Sequence, residues 1–272
     1  MINRDSKLAM QFWETGKLSC PVLDFHGHMD EHPAIYFPAP HVDDMIKSMD
    51  NVGIRWLFFC NHIALDDPLD GEQYNVRAVK KYPDRLRAYH CFHSRHLNPE
   101  KEIREVEDNP DIYIGFKILG DYNAYPISDY CHDPYYQYLS DTGKLLLLHT
   151  WGNSPNDGYD QVAEIAERFP KMTIICGHSF FGSQIDGIEC TKKYPNIYYE
   201  LTAIPIVRGY FEDIVQHAGS ERVLFGTDLP WFSSFHGIGM ILSADITDED
   251  RLNILYRNGD RLLSRFPWYS LK

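Results

Sequence analysis

Eight short apolar runs punctuate the chain: 22-VLDFH, 54-IRWLFFC, 86-LRAYHCF, 112-IYIGFKI, 145-LLLLH, 172-MTIICGH, 196-NIYYELT and 222-RVLFGTD. Their starts are separated by 32, 32, 26, 33, 27, 24 and 26 residues. Runs this short, rich in branched and aromatic side chains, predict buried parallel strands. Between them the apolar period becomes helical. Val42, Met45, Ile46 and Met49 fall on one helical stripe, and so do Val162, Ile165, Ala166 and Phe169, closed by Pro170. Segments 99–108, 134–144, 180–194 and 207–219 are further helical candidates. Segment 248–266 reads as a closing helix with Leu252, Leu255, Leu262 and Leu263 as its apolar face. Strand–helix alternation repeated in this way predicts an α/β fold, a (β/α)8 TIM barrel. An open doubly wound sheet would carry a Gly-rich phosphate loop after its first strand, where this chain has His26-Gly27-His28. No compositional shift marks a linker. The expectation is one barrel domain over 21–272, preceded by an N-terminal helical extension at 1–20, with the Pro-rich stretch 29–40 as a candidate lid.

Composition narrows the partners. Lys and Arg number 26 against 39 Asp and Glu, a formal charge of −13. That balance argues against nucleic acid, whose phosphates need a basic surface, and against an anionic membrane. No run approaches the ~20 apolar residues of a membrane span. The first residues scatter charges where a signal peptide needs an unbroken apolar stretch, so a cytoplasmic protein is expected. The six cysteines show no CxxC pair. They read as small buried residues in a reducing compartment rather than as nucleophiles or ligands. A small-molecule substrate remains, and an anionic one is compatible, because a few buried cations outweigh the global field locally.

The most specific local feature is Asp24-Phe25-His26-Gly27-His28, at the end of the first run. Strand side chains alternate, so His26 and His28 point to one side. His149 ends the fifth run, His178 the sixth and Asp228 the eighth. Barrel active sites are built from the C-terminal ends of strands, and all five residues occupy that layer. One histidine after four leucines reads as a core residue. Five such side chains at matching positions read as a metal site. Lys117 ends the fourth run. Glu200, on the seventh, reaches the pocket or is buried against a basic partner. His62 and His93 end the second and third runs and are candidates to line the pocket. His32, His41, His90, His96, His132, His217 and His236 read as surface or packing residues.

This set of residues resembles the amidohydrolase superfamily, most closely its amidohydrolase-2 branch. The stretches 115-GFKI, 133-DP, 177-GH, 194-YPNIYYEL, 224-LFGTDLPW and 250-DRLNILYRNGDRLL extend the resemblance from about residue 20 to residue 265. The closing motif of the branch, Gly-Asn-Ala-x-Arg, appears here as Arg257-Asn258-Gly259-Asp260-Arg261, with its alanine lost. The resemblance implies that His26, His28, His149 and Asp228 hold one divalent metal. Zinc is the first expectation, with Mn, Fe, Co or Ni also suited to imidazole and carboxylate. It implies catalytic roles for Asp228, taking a proton from a metal-activated water, and for His178, orienting that water or stabilising negative charge.

Lys117 has three readings: a carboxylated bridge between two metals, a contact to a substrate anion, or a structural ion pair. Arg208 contacts a substrate carboxylate or is a solvated helix charge. Trp231, with Phe232, shields the substrate from water or packs under a loop. The branch includes hydrolases, lactonases, hydratases and decarboxylases. The first functional expectation is a hydrolase acting on a C–N or C–O bond of a small carboxylated or cyclic substrate. The alternative is a decarboxylase or hydratase of an aromatic or unsaturated acid. A purely structural zinc is disfavoured by His178 beside a four-ligand set, and polysaccharide cleavage by the lack of paired carboxylates. A homodimer is the default expectation for assembly.

Overall fold

The computed structural model describes residues 4–152, 154–204 and 209–271. Eight parallel strands run in sequence order: β1 Val22–Met29, β2 Ile54–Asn61, β3 Leu86–Cys91, β4 Tyr113–Ile118, β5 Leu145–His149, β6 Thr173–Gly177, β7 Ile197–Glu200 and β8 Val223–Leu224. Closure comes from bonds between the ends of that order. Phe25 N donates to Phe225 O at 2.9 Å, and Asp228 N to His26 O at 2.8 Å. Gly27 bridges Leu229 in parallel. The fold is a TIM barrel, and each of the eight apolar runs has become a strand. No helix among the described residues is long and apolar enough to cross a membrane.

Inside the barrel, Leu23, Phe25, Trp56, Phe58, Tyr89, Ile114, Leu145, Leu147, Ile175 and Leu224 pack together. A second apolar layer lies between strands and helices. There Met45, Ile46 and Met49 come from Val42–Val52, and Val162, Ile165 and Ala166 from Tyr159–Arg168, on the predicted stripes. At the N-terminal end of the barrel Phe266 and Trp268 close the interior. The guanidinium of Arg87 lies 4.3 Å from the Trp268 ring and 5.0 Å from Trp56. The N-terminal helix Lys7–Thr15 is pinned to the closing helix, where Asp248 accepts from Ser6 Oγ at 2.5 Å and from Lys7 N at 2.8 Å.

The helix Pro68–Lys81 is invisible to an apolar pattern, because two of its six buried residues, Glu72 and Asn75, are polar. Gly71, Glu72, Asn75, Ala78 and Val79 share that face, and Glu72 accepts from Cys91 N at 2.7 Å and from Tyr113 Oη at 3.1 Å. Ser234–Ser243 also lacks a long stripe, with Ile238, Ile241 and Leu242 as its apolar anchors. The closing helix runs from Asp248 to Leu263 through a π-helical turn at Asn253–Arg257. Asn258 donates to Ser220 O and Val223 O at 2.7 and 2.8 Å, tying this helix to β8. The lost alanine has a steric cause. A Cβ at Gly259 would stand 2.6 Å from Phe25 Cε2.

Candidate metal centre

Side-chain direction at the barrel mouth is set by two bulges. Leu23 and Phe25 face the interior, so simple alternation would turn His26 and His28 outward. Between Asp24 and Gly27, β1 gains one residue relative to β2, and both histidines swing to the cavity. β4 gains one residue at Gly115 relative to β3, which carries Lys117 inward after Ile114. Gly115 is obligatory there, since a Cβ would lie 1.8 Å from Leu145 O. His149, two residues beyond Leu147, follows the inward parity of β5 without a bulge, whereas Asp228 lies four residues past the end of β8, where a left-handed backbone with φ of 59° presents it to the cavity.

These side chains line a cavity of about 400 Å³ with His62, His178, Trp231 and Phe232. The ligand atoms of His26, His28 and Asp228 lie within 4.8 Å of one another. Asp228 Oδ1 is 3.2 Å from His28 Nε2 and 3.6 Å from His26 Nε2. His149 stands apart from this trio. Its ring centroid is 4.6 Å from that of His178, and its Nδ1 is 3.0 Å from Asp157 Oδ2. An imidazole that donates through Nδ1 presents its lone pair at Nε2, the tautomer a metal ligand needs.

Further partners fix the trio. Glu200 is fully buried, its Oε2 lies 2.7 Å from His26 Nδ1, and its Oε1 accepts from Thr202 N at 2.7 Å and Thr202 Oγ1 at 2.5 Å. Of its two sequence readings, burial against a basic partner is the observed one. Asp24 joins β1 to the β8 loop, accepting from Thr227 Oγ1 at 2.6 Å and Thr227 N at 3.1 Å. His178, Ser179 and Phe180 form a left-handed turn with φ of 66°, 48° and 57°. Such residues cost energy and persist where surroundings over-determine them. Here Ser179 Oγ donates to Glu200 O at 2.6 Å, and Tyr210 Oη donates to Ser179 O at 3.0 Å.

Electrostatics match a cation site. Burial, with Lys117 adding to it, holds His26 well below the ordinary histidine range, and burial with His149 does the same to His178. Burial works to raise the Asp228 carboxyl, but the neighbouring His26 and His28 outweigh it and keep it below the ordinary carboxylate range. Burial pushes Glu200 up to about 8 and His62 down to about 2. The residues fit a metal. Asp228 Oδ1 and His178 Nδ1 are buried without a hydrogen-bond partner among the described residues. A positive group already stands at the trio, with Lys117 Nζ 2.5 Å from His26 Nε2.

Lys117 is 1% exposed, and among the described residues no carboxylate lies within 4.0 Å of its Nζ. The structural ion pair is therefore not formed. Trp231 lies at the mouth, edge-on to Phe37 at 4.9 Å. Arg208 lies outside the described residues. His62 joins the cavity, whereas His93 packs beside His96 at 5.6 Å. Cys60, Cys91, Cys176 and Cys190 are buried, and all six cysteines are free. Sequence reasoning missed Asp157, Tyr122 and Trp151. Asp157 follows His149 by eight residues within a loop that no pattern distinguishes.

The fold and the residues at its mouth define a TIM barrel with a metal-binding constellation at the C-terminal ends of its strands. A family model described as amidohydrolase, the amidohydrolase-2 model, matches residues 24–265, and the chain belongs to that family. Among solved structures it resembles an uncharacterised TIM-barrel protein from Bordetella bronchiseptica, with a TM-score of 0.77 at 18% identity over 90% of this chain and 99% of that one. It also resembles a 2,6-dihydroxybenzoate decarboxylase from Rhizobium, TM-score 0.68 at 16% identity, over 90% and 98%. A dihydroxybenzoic acid decarboxylase from Polaromonas, with bound manganese and the inhibitor 2-nitroresorcinol, gives 0.65 at 14% identity, over 90% and 97%. A search of curated protein sequences finds no match.

Proposed function

We propose that this enzyme is a metal-dependent lyase that releases carbon dioxide from a small aromatic acid. The cavity carries this reading. Tyr122, Trp151, Trp231 and Phe232 supply aromatic walls, and Lys117 is the sole Lys or Arg among its described lining residues, beside the trio. That arrangement suits a flat ring with its carboxylate at the deep end. The resemblance to two decarboxylases of hydroxylated benzoates supports the same substrate class.

His26, His28 and Asp228 would hold a divalent ion, with His149 as the expected fourth ligand. When bound, the ion supplies Lewis acidity toward a substrate oxygen. Zinc remains the expectation from three imidazoles and a carboxylate, with manganese as the competitor. Lys117 binds the carboxylate. His178, buried and rigidly held, offers a hydrogen bond to the reacting end of the substrate. Asp228 takes a proton from a substrate hydroxyl and returns it to the ring carbon. The bond to the carboxylate breaks, carbon dioxide leaves its electron pair on that carbon, and the hydroxyl regains its proton from water. No oxidant is consumed.

The second reading is hydrolysis of a C–N or C–O bond, in which Asp228 takes the proton of an attacking water. The family description favours it. Incubation of metal-loaded protein with 2,6-dihydroxybenzoate in ¹⁸O-labelled water separates the two. The lyase reading expects equimolar carbon dioxide and dihydroxybenzene, with no label in the aromatic product. Inactivity on a panel of hydroxybenzoates, with label-incorporating hydrolysis of lactones or amides, would overturn it.

A further inference from the structure

We propose that His62 is a specificity-determining residue that donates a hydrogen bond to a ring oxygen of the substrate next to its metal-held end. This deepens the aromatic-acid reading and rests on it. His62 follows β2 directly and lines the cavity, yet it is only 2% exposed. Its backbone is fixed by Asn61, whose Oδ1 accepts from Ile63 N at 2.9 Å and whose Nδ2 donates to Met29 O at 3.0 Å. Its ring sits 4.9 Å from His28, 4.9 Å from His32, 5.4 Å from Trp231 and 5.7 Å from Phe37.

Packing among rings does not require an imidazole; a phenylalanine would fill the same place without desolvating two nitrogens. Nδ1 is buried and has no partner among the described residues. Buried polar atoms are otherwise satisfied in folded proteins, so an unpaired one is informative, and here it decides which ring nitrogen carries the proton. A buried N–H left unpaired is rarer than an unpaired acceptor. That preference leaves the lone pair on Nδ1 and the proton on Nε2. His62 therefore brings a donor beside His28, just beyond the end of β2, whereas Lys117 brings one beside His26, on β4. A ring whose carboxylate end engages the trio and Lys117 presents an adjacent hydroxyl oxygen to His62.

The test is calorimetric titration of the metal-loaded protein with benzoate, 2-hydroxybenzoate and 2,6-dihydroxybenzoate, with metal content measured on each sample. The wild-type protein is expected to bind the hydroxylated acids more tightly than benzoate. His62→Phe should reduce that preference about tenfold, the effect of one hydrogen bond, with benzoate affinity and metal content unchanged. His62→Leu carries the same expectation if phenylalanine packs badly against Trp231. His62→Gln keeps a donor and should retain part of the preference. Full preference in both apolar variants overturns the role of His62 while leaving the aromatic-acid reading intact. Loss of metal in either variant overturns it in favour of support for His28. Failure of the wild-type protein to bind any of the three acids overturns the aromatic-acid reading itself.

Discussion

Replacing Glu200 with glutamine preserves shape but removes the charge of the ionised carboxylate and its ability to accept at both oxygens. In the native protein Oε1 accepts two bonds from Thr202, at 2.7 and 2.5 Å, and Oε2 meets His26 Nδ1 at 2.7 Å. A glutamine has one acceptor and one donor end. If its oxygen serves Thr202, its amide N–H faces His26 Nδ1 and forces the proton of that ring to Nε2. Nε2 then has no lone pair for a metal. If the amide turns over, its N–H meets the Thr202 N–H inside a fully buried site, and one donor is left unpaired at about 1–3 kcal/mol. Either way the metal-competent tautomer of His26 is disfavoured. Loss of such a partner typically lowers metal affinity 10–100-fold, about 1.4–2.7 kcal/mol. Competition titration with a chromophoric chelator reads the affinity, and circular dichroism reports the fold. A Glu200→Gln protein that folds and binds metal within twofold of wild type refutes the reasoning.

Asp228→Asn should keep an oxygen for the metal but lose the proton carrier; kcat is expected to fall ~10³-fold, with the fold intact by circular dichroism. Near-normal turnover would remove Asp228 from the mechanism. Gly115→Ala places a Cβ 1.8 Å from Leu145 O, so the β4 bulge must rearrange. Thermal denaturation should show a loss of about 3 kcal/mol or more, roughly 6 °C or beyond in Tm. Asp248 is opposed by burial, but donors from Ser6, Leu8 and Lys7 hold its carboxyl below the ordinary range. A depressed folded value gives stability that is present above about pH 4 and lost as pH falls through the folded value. Acid should thus loosen the Lys7–Thr15 helix, and Asp248→Ala should make the segment around this helix protease-sensitive at neutral pH.

Much of the barrel was legible because buried strands and amphipathic helices write their periods into the sequence. Strand parity also carried far. Leu145, Leu147 and His149 alternate cleanly, so His149 fell where the pattern put it, whereas Asp228 reaches the cavity from a left-handed turn beyond β8. His26 and His28 reached the cavity by a different route from the one alternation implies. A one-residue bulge re-aims them, and the register of neighbouring strands is not encoded in one run read alone. Lys117 depends on the same device at Gly115. The helix Pro68–Lys81 stayed hidden because Glu72 and Asn75 occupy core positions, where hydrogen bonds replace apolar contact. Glu200 was visible as a residue but not as the partner of His26, since the two are 174 positions apart. Asp157 had no local signal at all, because a loop carboxylate acquires its role only from the histidine it meets.

Metal content tests the central claim most directly. Protein purified without added metal, then reconstituted with zinc or manganese and freed of excess ion, should hold one divalent ion per chain by elemental analysis. His28→Ala and Asp228→Ala proteins that remain folded should hold far less. A wild-type chain that retains no ion after reconstitution, or variants that retain as much as wild type, would contradict a metal centre at His26, His28 and Asp228.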